Sequence, residues 1–123
     1  MPAYNNATPP YSLFPGDIGF SFNSESFPAN GTSGEQFAIP EPAGMPNQGH
    51  TVRWQTIFGT APSAINITLQ GAMADVDAQY SMIDTSTNAA GEARTVSNVR
   101  ARFLRVNVAS STGGASLTVM ILP

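Results

Sequence analysis

The chain has 123 residues, of which 41% are hydrophobic and only 11% are charged, and it contains no cysteine. This length and hydrophobic content predict one domain with a single core, and the lack of cysteine excludes a disulfide framework and a thiolate metal site. The formal net charge is −3 with five basic residues, all of them arginine, so the chain lacks the basic surface that nucleic-acid binding requires.

The chain begins with Met-Pro-Ala-Tyr-Asn-Asn, which has neither the positively charged nor the apolar region of a secretory signal. No apolar run approaches the ~20 residues that a membrane span needs. We therefore expect no membrane partner. A surface with so few charges is unusual for a free monomer, and two interpretations stay open: a surface rich in Ser, Thr, Asn and Gln, or one that partners partly cover.

Residues 1–49 carry eight of the ten prolines. They also contain four acidic residues and no basic residue. Because proline removes a backbone donor and biases the preceding residue toward extended backbone, this half cannot form a regular helix. The pattern predicts an extended N-terminal arm with short strands near residues 18–22 and 36–39. Turn signals lie between them, at Asn30-Gly31 and Ser33-Gly34.

The arm also carries five of the seven phenylalanines, although a disordered segment would be depleted in aromatic residues. These phenylalanine side chains must therefore pack against another apolar surface. Either they pack on the chain's own sandwich and complete it, or some of them anchor on a neighbouring subunit. The candidate partner-binding residues of the arm are Phe14, Phe20, Phe22, Phe27 and Phe37.

Residues 50–123 alternate between apolar and polar side chains in several short runs, which is the period of a strand with one buried face. Trp54 is in phase with Val52 and Phe58 and is predicted to lie in the core. The runs predict an all-β, antiparallel β-sandwich of the jelly-roll kind over residues 50–123. The predicted strands lie at residues 51–58, 65–69, 80–85, 92–99, 100–109 and 115–122.

The strand over residues 100–109 has two distinct faces. Leu104, Val106 and Val108 form its core face, whereas Phe103 and Arg105 point the other way and are two further candidate partner-binding residues. They could meet the arm, the second sheet or a neighbouring subunit. Nearby, two rim arginines, Arg100 and Arg102, are expected to pair with some of the carboxylates of Asp75, Asp77, Asp84 and Glu92.

Residues that could perform catalysis are sparse. His50 is the only histidine, and no cysteine or second histidine can join it as a metal ligand. Asp75 and Asp77 share a loop, but two carboxylates without a recognisable ligand loop are a weak calcium signal. The sequence predicts a protein that is not an enzyme and that carries no cofactor and no metal.

Several landmarks of residues 52–122 resemble the discoidin-like, galactose-binding-domain-like β-sandwich, and more narrowly small structural proteins of tailed bacteriophages. These landmarks are Ile-Thr-Leu-Gln-Gly (67–71), the Asp75 loop, Tyr80, Ile83-Asp84-Thr85 and Ala-Arg-Phe-Leu-Arg-Val-Asn-Val (101–108). The chain departs from the family pattern at residues 72–77 and at Tyr80, where the family usually has a Ser, Asn or Asp-Gly turn and a Trp.

The resemblance implies a structural component of a phage particle, most simply a capsid decoration or cement protein. Its partners would be the major capsid protein or other virion proteins, together with copies of itself in a homo-oligomer, with a trimer favoured. Its location would be the virion, after synthesis in the host cytoplasm. The alternative is a carbohydrate-binding module of a virion or host-recognition fibre, with Tyr80 or Tyr11 exposed beside arginines to bind a glycan.

Overall fold

The computed structural model describes residues 11–13, 16–39 and 50–123, and within them strand is the main secondary structure. One 3₁₀ turn, at Asp77–Gln79, is the only helical element of these ranges, and no helix in them is long and apolar enough to cross a membrane. The strands are β1 Tyr11–Ser12, β2 Gly19–Ser24, β3 Thr32–Ser33, β4 Phe37–Ala38, β5 His50–Thr60, β6 Ala64–Ala72, β7 Ser81–Ser86, β8 Ala93–Val99, β9 Phe103–Thr112 and β10 Ala115–Leu122.

The strands form two sheets that pack face to face. Sheet A has the order β1-β4-β9-β6-β7, with β3 also paired to β9, and sheet B has the order β2-β10-β5-β8. Every pair is antiparallel except β1 with β4. The predicted all-β sandwich is therefore confirmed.

The core lies between the sheets and consists of the apolar residues that the alternation predicts. On β9, Leu104, Val106 and Val108 are completely buried. Trp54 of β5 joins them, as its phase indicated. Each large apolar side chain removed from water stabilises the fold by roughly 1.5–3 kcal/mol, so this interdigitated layer is the main favourable contribution to folding.

Consecutive strands rarely share a sheet in this fold. From β5 onward the chain crosses between the sheets at every connection except that between β6 and β7, which form a hairpin within sheet A. The β9–β10 crossing needs Gly113 and Gly114, which both have positive φ (+74° and +90°). Each crossing turns the chain over one end of the sandwich and so places the next strand on the opposite layer.

The N-terminal segment supplies strands to both sheets. Strand β2 is an edge of sheet B, paired with β10, and β3 and β4 pair with β9 of sheet A. Ser21 links the two layers, because its Oγ accepts a hydrogen bond from the Val106 N–H (3.0 Å) and donates one to the Glu35 carbonyl (3.2 Å). The Gly34 N–H then donates to the Val106 carbonyl (2.8 Å). One side of the sandwich is thus closed by this segment.

Candidate interaction surfaces

Most of the arm phenylalanines that the structure describes pack within the chain's own sandwich. Phe22 and Phe37 are buried in the core. Phe27 is half-buried, and its ring stacks on that of Phe58 with centroids 5.9 Å apart and planes 15° apart. Phe14 lies outside the described residues. Burial of the Phe22, Phe27 and Phe37 rings therefore stabilises the chain's own fold. This arrangement corresponds to the first of the two interpretations, in which the arm packs on the chain's own sandwich.

Phe20 differs from the others because it lies on the outer face of sheet B and is 46% exposed. Across the sheet it is in register with Met120 of β10, which is in turn in register with Gln55 of β5. The outer face of an antiparallel sheet is usually polar, but this one carries a group of apolar side chains next to Arg53 and Gln55. We call these residues the sheet B face: Ile18, Phe20, Ile57, Met120 and Leu122.

A depression of about 130 Å³ lies in the sheet B face beside Phe20. Trp54 is among its lining residues, and Arg53 is its charged residue. The Arg53 Nη1 donates to Thr95 Oγ1 (3.2 Å), which holds the guanidinium along the sheet. The other residues that line the depression are Ile18, Gln55, Met120 and Leu122.

A second apolar surface lies at the β6–β7 hairpin of sheet A. Met73 and Val76 protrude from the loop, and Met82 from edge strand β7; Met73 is 73% exposed. We call these three residues the hairpin patch. Exposed Arg102 lies at the same end of the sandwich, because its N–H donates to the Ala72 carbonyl (2.9 Å).

Two open grooves flank Met73. One, of about 310 Å³, contains Phe103, which is half-buried and lies beside Arg102 and Ile39. The other, of about 350 Å³, runs between β7 and β8 and has an apolar floor. Asn98 at its rim has a positive φ of 58°, a backbone conformation in which Asn is among the few tolerated residues. The polar residues of this rim are Gln79, Ser81, Ser97, Asn98 and Arg100.

Arg105 contacts the hairpin loop of its own chain. Its side chain is only 6% exposed, its Nη1 donates to Asp77 Oδ1 (2.8 Å), and its Nε donates to Gln70 Oε1 (2.8 Å). The guanidinium lies 4.0 Å above the centre of the Tyr80 ring, and the Tyr80 hydroxyl donates to Asp75 Oδ1 (2.8 Å). A planar guanidinium suits such combined stacking and hydrogen bonding. Arg105 thus fastens the loop to sheet A.

Three of the four carboxylates that were expected to pair with Arg100 and Arg102, those of Asp77, Asp84 and Glu92, pair with other arginines. Arg94 of β8 contacts Asp84 Oδ2 (2.8 Å) and Glu92 Oε1 (2.6 Å). Arg100 and Arg102 are exposed and take part in none of the ion pairs within the described ranges, so that prediction was wrong. The physical reason is the sheet geometry: β7 and β8 are facing edges of the two sheets, whereas the two rim arginines lie in the β8–β9 connection.

Asp84 is the centre of a link between the two sheets. It accepts hydrogen bonds from Arg94 Nε (2.8 Å), Arg94 Nη2 (3.1 Å) and Trp54 Nε1 (2.9 Å). Burial raises the pKa of Asp84, but the hydrogen bonds from Arg94, Trp54 and the Thr85 backbone, with the Arg94 charge, lower it by more, so the pKa lies below 3.8. The carboxylates of Asp84 and Glu92 raise the pKa of Arg94.

The sheet B face was missed from the sequence, although a signal for it exists. Ile57 occupies the parity of Arg53 and Gln55 on β5, and Met120 and Leu122 occupy the outward parity of β10. In a strand with one wet face these positions should be polar. Apolar residues at both the inward and the outward positions of a strand therefore indicate that its outer face can also bind an apolar surface.

The described residues contain no group of three or more His, Asp or Glu side chains that could hold a metal ion. The side chains of His50 and Tyr11 lie outside the description. Comparison of the chain with protein-family models, with curated proteins and with solved structures found no match in any of the three.

Proposed function

We propose that this protein is a structural component of a tailed-phage particle, a decoration or cement protein that bridges and stabilises neighbouring virion subunits. The observation that supports it best is the presence of two separate apolar surfaces, the sheet B face and the hairpin patch, on different sheets. A bridging protein needs at least two contact surfaces. The resemblance of residues 67–71 and 101–108 to small phage structural proteins points in the same direction.

The hairpin patch is the surface proposed to contact the capsid or another virion protein. Burial of a large apolar side chain contributes roughly 1.5–3 kcal/mol, and Met adapts its shape to an uneven partner. Three such side chains hardly exceed the cost of association. On a particle, however, the subunits repeat, so a molecule or oligomer that binds at two points gains from a high effective concentration.

The experiment is co-sedimentation of the full chain with expanded capsids. Removal of residues 1–49 would be a poor test, because it would also remove β2 from sheet B and the Ser21 link. The variant is instead Met73→Ser with Val76→Ser, which changes two exposed side chains of the loop. We expect the affinity for capsids to fall at least about tenfold, the equivalent of about 1.4 kcal/mol.

The matched control is Ala61→Ser with Ala109→Ser, since both alanines are exposed and neither belongs to either apolar surface. This control should bind as the unchanged chain does. Full occupancy by the Met73 and Val76 variant would remove the hairpin patch from the proposal. Failure of the unchanged chain to bind any virion component would overturn the proposed function.

A carbohydrate-binding module is a second candidate, supported by the 350 Å³ groove between β7 and β8. Its rim of amides, hydroxyls and one arginine offers donors and acceptors suited to sugar hydroxyls, above an apolar floor. Tyr80, suggested from the sequence as an exposed platform, is half-buried with Arg105 over its ring. A glycan array probed with the unchanged chain and with Asn98→Ala tests this candidate. Absence of signal, or equal signal from both, counts against the groove.

A further inference from the structure

We propose that the sheet B face joins two copies of this chain about a two-fold axis, with Phe20 of each copy seated in the depression of the other. The virion role and this contact are separable. The first concerns the hairpin patch and a capsid, and the second concerns the free protein in solution.

The shape of the sheet B face is self-complementary. It carries a protruding ring, Phe20, on edge strand β2 and a depression of about 130 Å³ between β10 and β5. Neighbouring strands lie ~4.8 Å apart, so protrusion and depression are separated by roughly 7 Å. In a two-fold contact, residue i meets residue j and residue j meets residue i. One protrusion and one depression on the same face are what such a contact requires.

The register of the strands determines which other residues of the two copies would be in contact. An axis midway between Phe20 and the depression passes beside Met120, which is paired directly with Phe20. The two-fold axis between two facing surfaces lies in the plane of contact, so rotation carries a residue across the axis but keeps its position along it. It therefore brings Ile18 of one copy opposite Leu122 of the other, and both of these side chains line the depression. The apolar rim of each depression would thus be covered by the other copy.

The charge on the face is compatible with this arrangement. Arg53, which lines the depression, is carried by the rotation to the free edge of β2, next to Phe20 of the other copy. A guanidinium against an aromatic ring is attractive, and the two copies of Arg53 lie on opposite sides of the axis, away from each other. The contact thus brings no like charges together.

The area indicates a weak dimer. Four strands at ~4.8 Å spacing and about six residues at ~3.3 Å rise cover roughly 400 Å² in flat projection on each copy. A standard stable interface buries about 800 Å² on each partner. We therefore expect self-association in the micromolar range or weaker, strengthened where many copies are held on one particle.

The first experiment is sedimentation velocity of the full chain over a concentration series. We expect a monomer–dimer equilibrium, and Phe20→Ser should weaken it at least about tenfold because two rings are lost per dimer. The control Met82→Ser changes an apolar residue on sheet A that is even more exposed than Phe20, and it should leave the equilibrium unchanged. A monomer at all concentrations, or a trimer that Phe20→Ser leaves intact, overturns the proposal.

A mixing experiment tests the reciprocal geometry. Gln55→Trp fills the depression but keeps Phe20, whereas Phe20→Ser keeps the depression. Each variant alone should be monomeric, and the mixture should recover heterodimer through one intact contact. Absence of heterodimer between two variants that both keep the far-ultraviolet circular dichroism of the unchanged chain refutes the arrangement.

A cross-linking experiment tests the same contact without the Phe20→Ser and Gln55→Trp variants. Because the chain has no cysteine, Met120→Cys introduces a single thiol beside the proposed axis. Mild oxidation should link two copies much faster than it links Met82→Cys, although Met82 is the more exposed of the two positions. Equal cross-linking rates for the two variants contradict the proposal. A disulfide-linked dimer that still binds capsids would show that the dimer contact and the capsid contact coexist.

Discussion

Replacing Asp84 should reveal how strongly the facing edges of the two sheets are joined. Asp84 lies on β7 of sheet A, and its carboxylate receives hydrogen bonds from Trp54 on β5 and Arg94 on β8, both in sheet B. Asp84→Ala removes every one of these bonds. Asp84→Asn keeps an acceptor for the indole N–H but removes the charge. The two variants therefore separate the hydrogen bond from the ion pair.

The magnitude follows from the burial of each group. Trp54 is 1% exposed, so its N–H would lose its acceptor in a nearly dry place, which costs about 1–3 kcal/mol. The Arg94 side chain is 40% exposed, so solvent screens the ion pair and its loss adds at most ~1 kcal/mol. We expect Asp84→Ala to lower the free energy of unfolding by about 2–3 kcal/mol and Asp84→Asn by about 1 kcal/mol.

The assay is urea denaturation followed by the fluorescence of Trp54, the single tryptophan of the chain. The matched control is Asp17→Ala, an exposed carboxylate outside the ion pairs of the described residues, which should change stability by less than ~0.5 kcal/mol. If Asp84→Ala matched the unchanged chain, or if the alanine and asparagine variants were equal, the reasoning from the indole hydrogen bond would be refuted.

The same variants carry a pH prediction. The pKa of Asp84 in the folded chain lies below its ordinary value of 3.8, so its ionised form stabilises the fold above that pH. This contribution is lost as the pH falls below 3.8 and through the lowered folded-state pKa. The difference between the unchanged chain and Asp84→Asn should therefore be full at about pH 7 and smaller at about pH 2.5. A difference that is the same at both pH values would contradict the assignment.

Three further substitutions test the other links. Ser21→Ala leaves the buried N–H of Val106 without its hydroxyl acceptor and should cost about 1–3 kcal/mol in urea denaturation, and a value near zero would show that Ser21 does not join the layers. Arg105→Ala should cost about 2–4 kcal/mol, because it removes a buried guanidinium with its bond to Gln70 and its stacking. Asp77→Ala should cost at most ~1 kcal/mol, because the Asp77 side chain is 63% exposed. Protease cleavage of the loop should likewise be faster in Arg105→Ala than in Asp77→Ala.

The strands were predictable because alternation is a local property of the chain. The predicted strands at residues 51–58 and 115–122 correspond to β5, His50–Thr60, and β10, Ala115–Leu122. The completely buried Leu104, Val106 and Val108 also followed from parity alone. Parity needs no knowledge of which strand lies alongside, so it survives any arrangement of the sheets.

The candidate surfaces depended on information that no single strand contains. Phe20 and Phe22 are two residues apart, yet one is exposed and the other is in the core, because the pairing of β2 with β10 shifts register between Val119 and Met120. Arg105 was expected to face a partner, the arm or the second sheet. It instead meets the loop that follows β6, since the Gln70–Arg105 register brings that loop over it.

By itself the sequence determined that this chain is an all-β sandwich, and which residues of β5 and β9 point inward. The tertiary structure decided which sheet each strand joins, that the proline-rich segment supplies β2, β3 and β4, and that an apolar outer face remains on sheet B. The physical reason is that side-chain alternation is set by the backbone of one strand. Sheet membership is set by hydrogen bonds between residues distant in the chain, as from Val106 to Ser21.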